Sequence, residues 1–192
     1  MWNTRYAQKE YVYGKQPNTF FKEQLSKLQS GKILLPAEGE GRNAVYAAKN
    51  AWDVTAFDGS SEAKKKAEKF ALENNVIINY EIISFEDANY KESTFDLIAL
   101  IFAHTTNRRV NHQKLIQFLK PGGILILEGF SKNQINNDSG GPRKPEMLFS
   151  RAELETDFFH LSAKEIWEEE IILNEGNLHS GKSSVMRLIG RK

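Results

Sequence analysis

The sequence has no cysteine among its 192 residues, so disulfides, thiolate metal sites and cysteine nucleophiles are excluded. It has no surplus of either charge, since 26 Lys and Arg face 25 Asp and Glu for a formal net charge of +1. Without a basic excess nothing draws the whole molecule to phosphate backbones, and nucleic acid is not expected as a partner. Long apolar runs are missing too. The longest, around Leu97 to Phe102, has the length of a strand, so no membrane span is expected. The opening Met1-Trp2-Asn3-Thr4-Arg5 lacks the basic and then apolar stretch of a signal peptide. The 4 histidines and scattered carboxylates lack any metal-ligand spacing, and no metal is expected. A soluble cytoplasmic chain is the expectation, with 40% hydrophobic residues enough to bury one core.

What is present is an alternation of helical and extended patterns. Phe21, Leu25 and Leu28 recur at helical spacing up to a stop at Gly31. Strand-like runs follow at Ile33 to Leu35, Val54 to Phe57, Tyr80 to Ile83, Phe95 to Phe102 and Ile124 to Leu127. Helices are expected from about Asn43 to Lys49, along Ala63, Ala67, Phe70 and Ala71, and through Leu115, Ile116 and Leu119. The run Lys64-Lys65-Lys66 reads as a solvated helix face. Gly129 to Phe149, roughly 20 residues without periodicity, has the length of a lid or a mobile segment. Ser150-Arg151-Ala152-Glu153 has the form of a capping box. Ile166 to Leu173 and Ser184 to Ile189, joined through Asn174-Glu175-Gly176-Asn177, read as an antiparallel pair. The pattern predicts an α/β fold: a Rossmann-like, doubly wound, mostly parallel seven-stranded sheet closed by a C-terminal antiparallel hairpin. Ligands on such sheets sit beyond the carboxyl ends of the strands, where strand order reverses.

Gly39-Glu40-Gly41-Arg42-Asn43-Ala44 lies between the first strand and its helix and fits G-x-G-x-x-G/A, a bend that lets a ligand approach the backbone. Asp58 follows Gly41 by about 17 residues, near the spacing of a ribose-binding carboxylate. A structural turn and a helix-capping Asp are the plainer readings of the same residues.

Several segments together resemble class I S-adenosylmethionine-dependent methyltransferases of the tellurite-resistance and thiopurine-methyltransferase-like group. They are Ile33 to Asn43 as motif I, Val54 to Ser60 as the acidic second motif, Phe95-Asp96-Leu97-Ile98 and Leu119-Lys120-Pro121-Gly122-Gly123. Trp2-Asn3-x-Arg5-Tyr6, Tyr13-Gly14-x-x-Pro17-Asn18 and the late Leu178-His179-Ser180-Gly181 extend the resemblance over essentially the whole length. It implies one methyltransferase domain over 1–192, with 1–30 as an N-terminal lid and helix segment and 31–192 as the Rossmann-like core. It also implies S-adenosylmethionine as cofactor, S-adenosylhomocysteine as product, and a small-molecule acceptor, with a thiol or a selenium or tellurium oxyanion as candidates. Monomer and homodimer are both compatible with it.

By that resemblance the cofactor would meet Glu38, Gly39, Glu40, Gly41, Arg42 and Asn43, then Asp58, Gly59 and Ser60. Adenine would lie near Ser84, Phe85 and Glu86, with Phe102 at the fourth strand's end. Motif I departs from its usual acidic-x-Gly-x-Gly-x-Gly form, with Leu35 at the acid and Ala37 at the first glycine. Glu38 or Glu40 would then supply the missing charge, or be ordinary loop carboxylates. His179, His104 and Arg187 are the candidates for acting on the acceptor, and Tyr13 and Arg143 for binding it. A hydrogen-bonded strand-end histidine is the plainer reading of His104, and a polar hairpin that of His179 and Arg187.

Displacement at a sulfonium calls mainly for alignment and exclusion of water, so a chain without a Ser-His-Asp or paired-acid signature suits it. Two other readings share these motifs. One is a nicotinamide-dependent oxidoreductase, for which no convincing Tyr-x-x-x-Lys pair follows the fourth strand. The other is a non-catalytic cofactor-binding protein of the same fold, prompted by Leu35 and Ala37.

Overall fold

The computed structural model describes residues 2–176 and 178–192. Met1 and Asn177, read above as part of the opening and of the hairpin turn, lie outside the described residues. The elements are α1 (Trp2–Tyr6), α2 (Thr19–Leu25), β1 (Lys32–Pro36), α3 (Arg42–Lys49), β2 (Asp53–Asp58), α4 (Ser61–Glu73) and β3 (Asn79–Ile82). They continue as β4 (Phe95–Ile101), α5 (Arg108–Phe118), β5 (Leu119–Phe130), α6 (Arg151–Asp157), β6 (Ser162–Asn174) and β7 (Ser180–Arg191).

One seven-stranded sheet runs in the order β3-β2-β1-β4-β5-β7-β6. The first five strands in that order are parallel, and β7 is antiparallel to both β5 and β6. Strand order reverses between β1 and β4, which places the crevice beyond their carboxyl ends. The Gly39–Gly41 bend and Phe102 flank that crevice.

Alternation along the strands sorts the core. Ile33 and Leu35 of β1 pack with Phe20, Phe21, Ala44 and Ala47 on the α2 and α3 side, while Leu34 joins Phe57, Ile98 and Leu100 on the other. Leu35, standing where motif I usually has an acid, is a fully buried member of the first cluster.

Several boundaries differ from the sequence reading. α2 stops at Leu25, with Ser26 as its C-cap, well short of Gly31. β5 starts at Leu119 and runs through Pro121-Gly122-Gly123, because Leu119 pairs with Phe95 before a register shift restores the ladder at Leu97 and Ile124. β6 and β7 are each far longer than their apolar patches, since their outer residues face solvent and carry no periodic apolar signal. The segment after β5 holds two short 3-10 turns, Lys132–Asn136 and Pro145–Met147. The expected capping box at Ser150 and Glu153 is present in both directions.

Ala37 has φ of +51°, the left-handed region that a glycine occupies freely. That conformation costs an L-residue about 1–2 kcal/mol, partly offset by alanine's lower unfolded-state entropy. Ala37→Gly is therefore expected to stabilise by about 0.5–1 kcal/mol, seen as a melting temperature roughly 2 °C higher. A lower melting temperature would show that the alanine methyl's packing outweighs its backbone strain.

Candidate active site

The bend after β1 is shaped by its glycines. Gly39 has φ of +64° and a Cβ there would stand 2.8 Å from the Tyr6 hydroxyl. Gly41 has φ of +87°, and its Cβ would lie 2.6 Å from that of Ala67. Gly41 thus lets α3 start hard against α4, while Gly39 lets Tyr6 of α1 approach the bend. The Tyr80 hydroxyl donates to the Gly39 carbonyl at 2.6 Å and steadies the bend from β3.

Asp58 ends β2 beside this bend and is almost fully buried. Its Oδ2 accepts from Gly39 N at 3.2 Å and its Oδ1 from Ser60 N at 2.9 Å. Each carboxylate oxygen retains a second lone pair. Burial pushes the Asp58 carboxyl up, and the two backbone donors oppose that shift. Ser60 caps α4 through Ala63 N and donates to Asn3 Oδ1 at 2.6 Å. Through Asn3 and Tyr6, then, α1 lies directly over the carboxyl end of β2. Gly59 is exposed, with nothing within 4 Å of where a Cβ would be.

Glu38 and Glu40 both bond to the protein around the bend. Glu38 Oε1 accepts from Asn43 N at 2.8 Å and Ala44 N at 2.7 Å, closing the amino end of α3. Its burial drives the carboxyl up to about 7, against the pull of those donors. Glu40 accepts from Val12 N at 2.8 Å and pairs with Lys66 at 2.7 Å, clasping the N-terminal segment to α4. Lys66 is accordingly turned inward, unlike the solvated face read from its sequence run.

Arg42 and Asn43 point toward the N-terminal segment and the β6–β7 hairpin. Asn43 Oδ1 accepts from Asn18 N at 2.9 Å, and Arg42 donates to Glu175 at 2.8 Å. Asn18 is the hub. Its Oδ1 caps α2 through Phe21 N, and its Nδ2 donates to Glu128 at 2.6 Å and Glu175 at 3.0 Å. Glu128 is paired with Arg187 at 2.6 Å, and Arg187 also pairs with Glu169 and lies over the Phe20 ring. A cavity of about 320 Å³ opens beside this network, lined by Tyr13, Lys15, Ile171 and Leu173 among others. Asn18, Glu128 and Glu175 were not chosen from sequence. The one visible sign was Glu128, an acid directly after the apolar Ile124 to Leu127.

His179 starts the last strand's approach and is nearly buried between Tyr13, Phe102 and Phe130, at centroid distances of 4.4, 4.7 and 5.1 Å. Tyr13 accepts a hydrogen bond from Arg5 at 3.1 Å. Phe102 has φ of +52°, which swings the chain out at the end of β4. His104 is used differently. Its Nδ1 meets the Met147 carbonyl at 2.7 Å and its Nε2 accepts from Phe130 N at 3.2 Å, so both ring nitrogens are occupied by backbone. Burial pulls this imidazole down to about 4, and the ring is neutral with its proton on Nδ1. In that state it ties the segment after β5 to the sheet.

The remaining candidates follow β3, whose Ile82 pairs with Asp58, or lie in the segment after β5. Phe85 packs edge to face on Phe57 at 5.5 Å, Ser84 bonds Asp87, and exposed Glu86 bonds Asn107 and Asn111. Arg143 is exposed and pairs with Asp138. Among the described residues no cluster of His, Cys, Asp or Glu is placed to hold a metal ion, and no helix is long and apolar enough to cross a membrane.

The methyltransferase-domain family model matches residues 34–127. A search of curated proteins finds no match. Among solved structures, an S-adenosylmethionine-dependent methyltransferase from Methanosarcina mazei superposes with a TM-score of 0.70 at 19% identity, covering 92% of this chain and 98% of that one. TehB from Haemophilus influenzae gives 0.74 at 17% identity, over 100% of this chain but 65% of its own. The plantazolicin methyltransferase BpumL, solved with a desmethyl substrate analogue and S-adenosylhomocysteine, gives 0.66 at 15% identity, over 91% and 86%. At these identities the likeness is one of fold. Residues 34–127 thus match a methyltransferase-domain model, and the fold is the one seen in class I S-adenosylmethionine-dependent methyltransferases. The Methanosarcina relative is S-adenosylmethionine-dependent, and BpumL was solved with S-adenosylhomocysteine, the product of that cofactor.

The residues present fit the nucleoside end of that cofactor. The glycine at 39 lets α1 come down onto the bend, with the Tyr6 hydroxyl 2.8 Å from where a Cβ would stand, and Asp58 holds spare lone pairs beside it for two ribose hydroxyls. Glu38 Oε2 accepts no hydrogen bond among the described residues, while each Glu40 oxygen accepts one, so Glu38 keeps the freer acceptor of the two.

Proposed function

We propose that this chain transfers a methyl group from S-adenosylmethionine to a small-molecule acceptor, with a thiol or a selenium or tellurium oxyanion as the favoured classes. One observation carries the reading: Asp58, buried at the carboxyl end of β2, is held against the Gly39 bend at the sheet's switch point. The cofactor supplies a methyl on a sulfonium, whose departing thioether needs no proton. The chain's own part is to bind, align and exclude water. Asp58, Gly39 and Ser60 would hold the ribose, with Phe85 near the purine. Tyr6 and Arg5 of α1 would close over the bend as a lid. Tyr13, Phe102, Phe130 and His179 pack into one aromatic cluster, against which an acceptor would meet the methyl.

The resemblance to the tellurite-type group supports assigning His179 to the acceptor. His104, with both nitrogens occupied, serves as a structural tie. Arg187 serves through its pairing with Glu128, which fixes the floor beside Asn18. The pentazolic desmethyl analogue bound by BpumL supports a small-molecule acceptor. Calorimetric titration with S-adenosylhomocysteine is expected to give saturable one-to-one binding, and NADH none. Labelled methyl transfer to a thiol, selenite and tellurite then identifies the acceptor. Saturable NADH binding without S-adenosylhomocysteine binding would overturn the reading in favour of an oxidoreductase.

A further inference from the structure

We propose that Glu175 is a positioning residue for His179: it fixes the ring as the Nδ1–H tautomer and so presents the Nε2 lone pair as the base for a proton-bearing acceptor. This rests on the methyltransferase reading and narrows its acceptor to one that must lose a proton, such as a thiol.

The geometry begins with the hairpin turn. Glu175 N donates to the His179 carbonyl at 2.8 Å, which holds the two residues face to face across the turn. Glu175 is itself fixed, with Oε2 accepting from Arg42 and Oε1 from Asn18. The His179 ring is fixed by Tyr13, Phe102 and Phe130. Its Nδ1 is buried without a hydrogen-bond partner, and Glu175 Oε2 stands 3.5 Å away, at ion-pair range but outside hydrogen-bond alignment.

A lone pair on Nδ1 facing a carboxylate would be repelled, whereas an N–H there is attracted. The proton therefore belongs on Nδ1, and the distance closes when the ring turns slightly; contacts of this kind are often long without substrate. Nε2 has no hydrogen-bond partner among the described residues. Gly140 packs against the Cδ2 edge of the ring, where a Cβ would come 2.9 Å from His179 Cδ2, and so helps to fix the ring's orientation.

The groups that face the ring set its charge. Burial and the cations Arg42 and Arg5 hold His179 below its usual range, while Glu175 opposes them. His104 and the Tyr13 hydroxyl complete the titratable surroundings. The imidazole is then neutral at pH 7 and able to accept. Nε2 would take the acceptor's proton, leaving the bonding pair on the acceptor for a methyl whose carbon–sulfur bond would break to the neutral thioether, and the resulting imidazolium would face the Glu175 carboxylate.

The test is nitrogen-15 NMR of the histidine rings in the full chain, where only 4 histidines need assignment. Wild type should show His179 as the Nδ1–H tautomer at pH 7. Glu175→Gln removes the anion at nearly constant shape and should lower the His179 pKa by about one unit, a tenfold weaker proton affinity, with mixed tautomers. Glu175→Asp should restore the wild-type tautomer, which separates positioning from folding. An Nε2–H tautomer in wild type, or an unchanged titration in Glu175→Gln, overturns the proposal. With 2-mercaptoethanol and dimethyl selenide as acceptor probes, Glu175→Gln should lower the thiol-to-selenide rate ratio at least tenfold. Equal slowing of both overturns the base role. Loss of S-adenosylhomocysteine binding in wild type would instead sink the methyltransferase reading and leave the tautomer result standing.

Discussion

Arg187→Ala should cost about 3–5 kcal/mol of folding stability, because it leaves a buried carboxylate without its cation. Glu128 is 1% exposed and accepts from Arg187 Nε at 2.6 Å, directly across the β5–β7 ladder. With Arg187 gone, Asn18 alone would neutralise nothing and only donate one hydrogen bond. The pH dependence has a definite sign. Burial already pushes the Glu128 carboxyl up while Arg187 holds it down, so the variant's folded-state pKa rises further above the unfolded value. An acid shifted upward in the folded state favours the protonated fold. The deficit is therefore greatest above the folded pKa and shrinks as pH falls through it. Urea unfolding at neutral and mildly acidic pH measures both effects. The double variant Glu128→Leu with Arg187→Met should recover most of the loss, since replacing the whole pair removes the unmatched charge. A cost under about 1 kcal/mol, equal at both pH values, would mean that solvent reaches Glu128.

Asp58→Ala should lose most of the stabilisation that S-adenosylhomocysteine confers. At 100 times its dissociation constant a ligand adds about 2.7 kcal/mol to wild type. Hydrogen bonds to a charged acceptor contribute about 1.5–3 kcal/mol, so the variant's affinity should fall roughly 10- to 150-fold. At the same ligand concentration the remaining shift would be about 0.3–1.4 kcal/mol. The unliganded variant should also be about 1–3 kcal/mol less stable, because Gly39 N and Ser60 N both lose their acceptor. Asp58→Asn keeps an oxygen toward one of those donors and should restore part of the fold stability without restoring affinity. Thermal unfolding with and without ligand reads both quantities. Equal ligand shifts in wild type and Asp58→Ala would remove Asp58 from the cofactor site.

The strand and helix alternation, the Gly39–Gly41 bend and the place of Asp58 were all legible in the sequence, for local reasons. Apolar runs such as Phe95 to Phe102 mark doubly covered strands, and glycines at positive φ mark the bend. Ser150 and Glu153 announce a helix start because both capping bonds span three residues. The ends of β5, β6 and β7 were not legible, because their outer pairing depends on a neighbour and not on their own side chains. The roles of Glu38, Glu40 and Lys66 were equally hidden. A loop carboxylate reads the same whether it faces a ligand, a helix end or a lysine, and only the approach of the N-terminal segment and α4 decided among them.

The sequence by itself determined the parallel α/β sheet, the hairpin that closes it and the glycine bend with an acid one strand further on, since periodicity and backbone freedom are properties of nearby residues. The tertiary structure alone decided that Asn18, Glu128, Glu175, Arg42 and Arg187 form one buried network, and that His104 is tied off while His179 keeps a free nitrogen. Those outcomes depend on which charges meet away from water across gaps of many residues, and spacing along the chain carries no record of that.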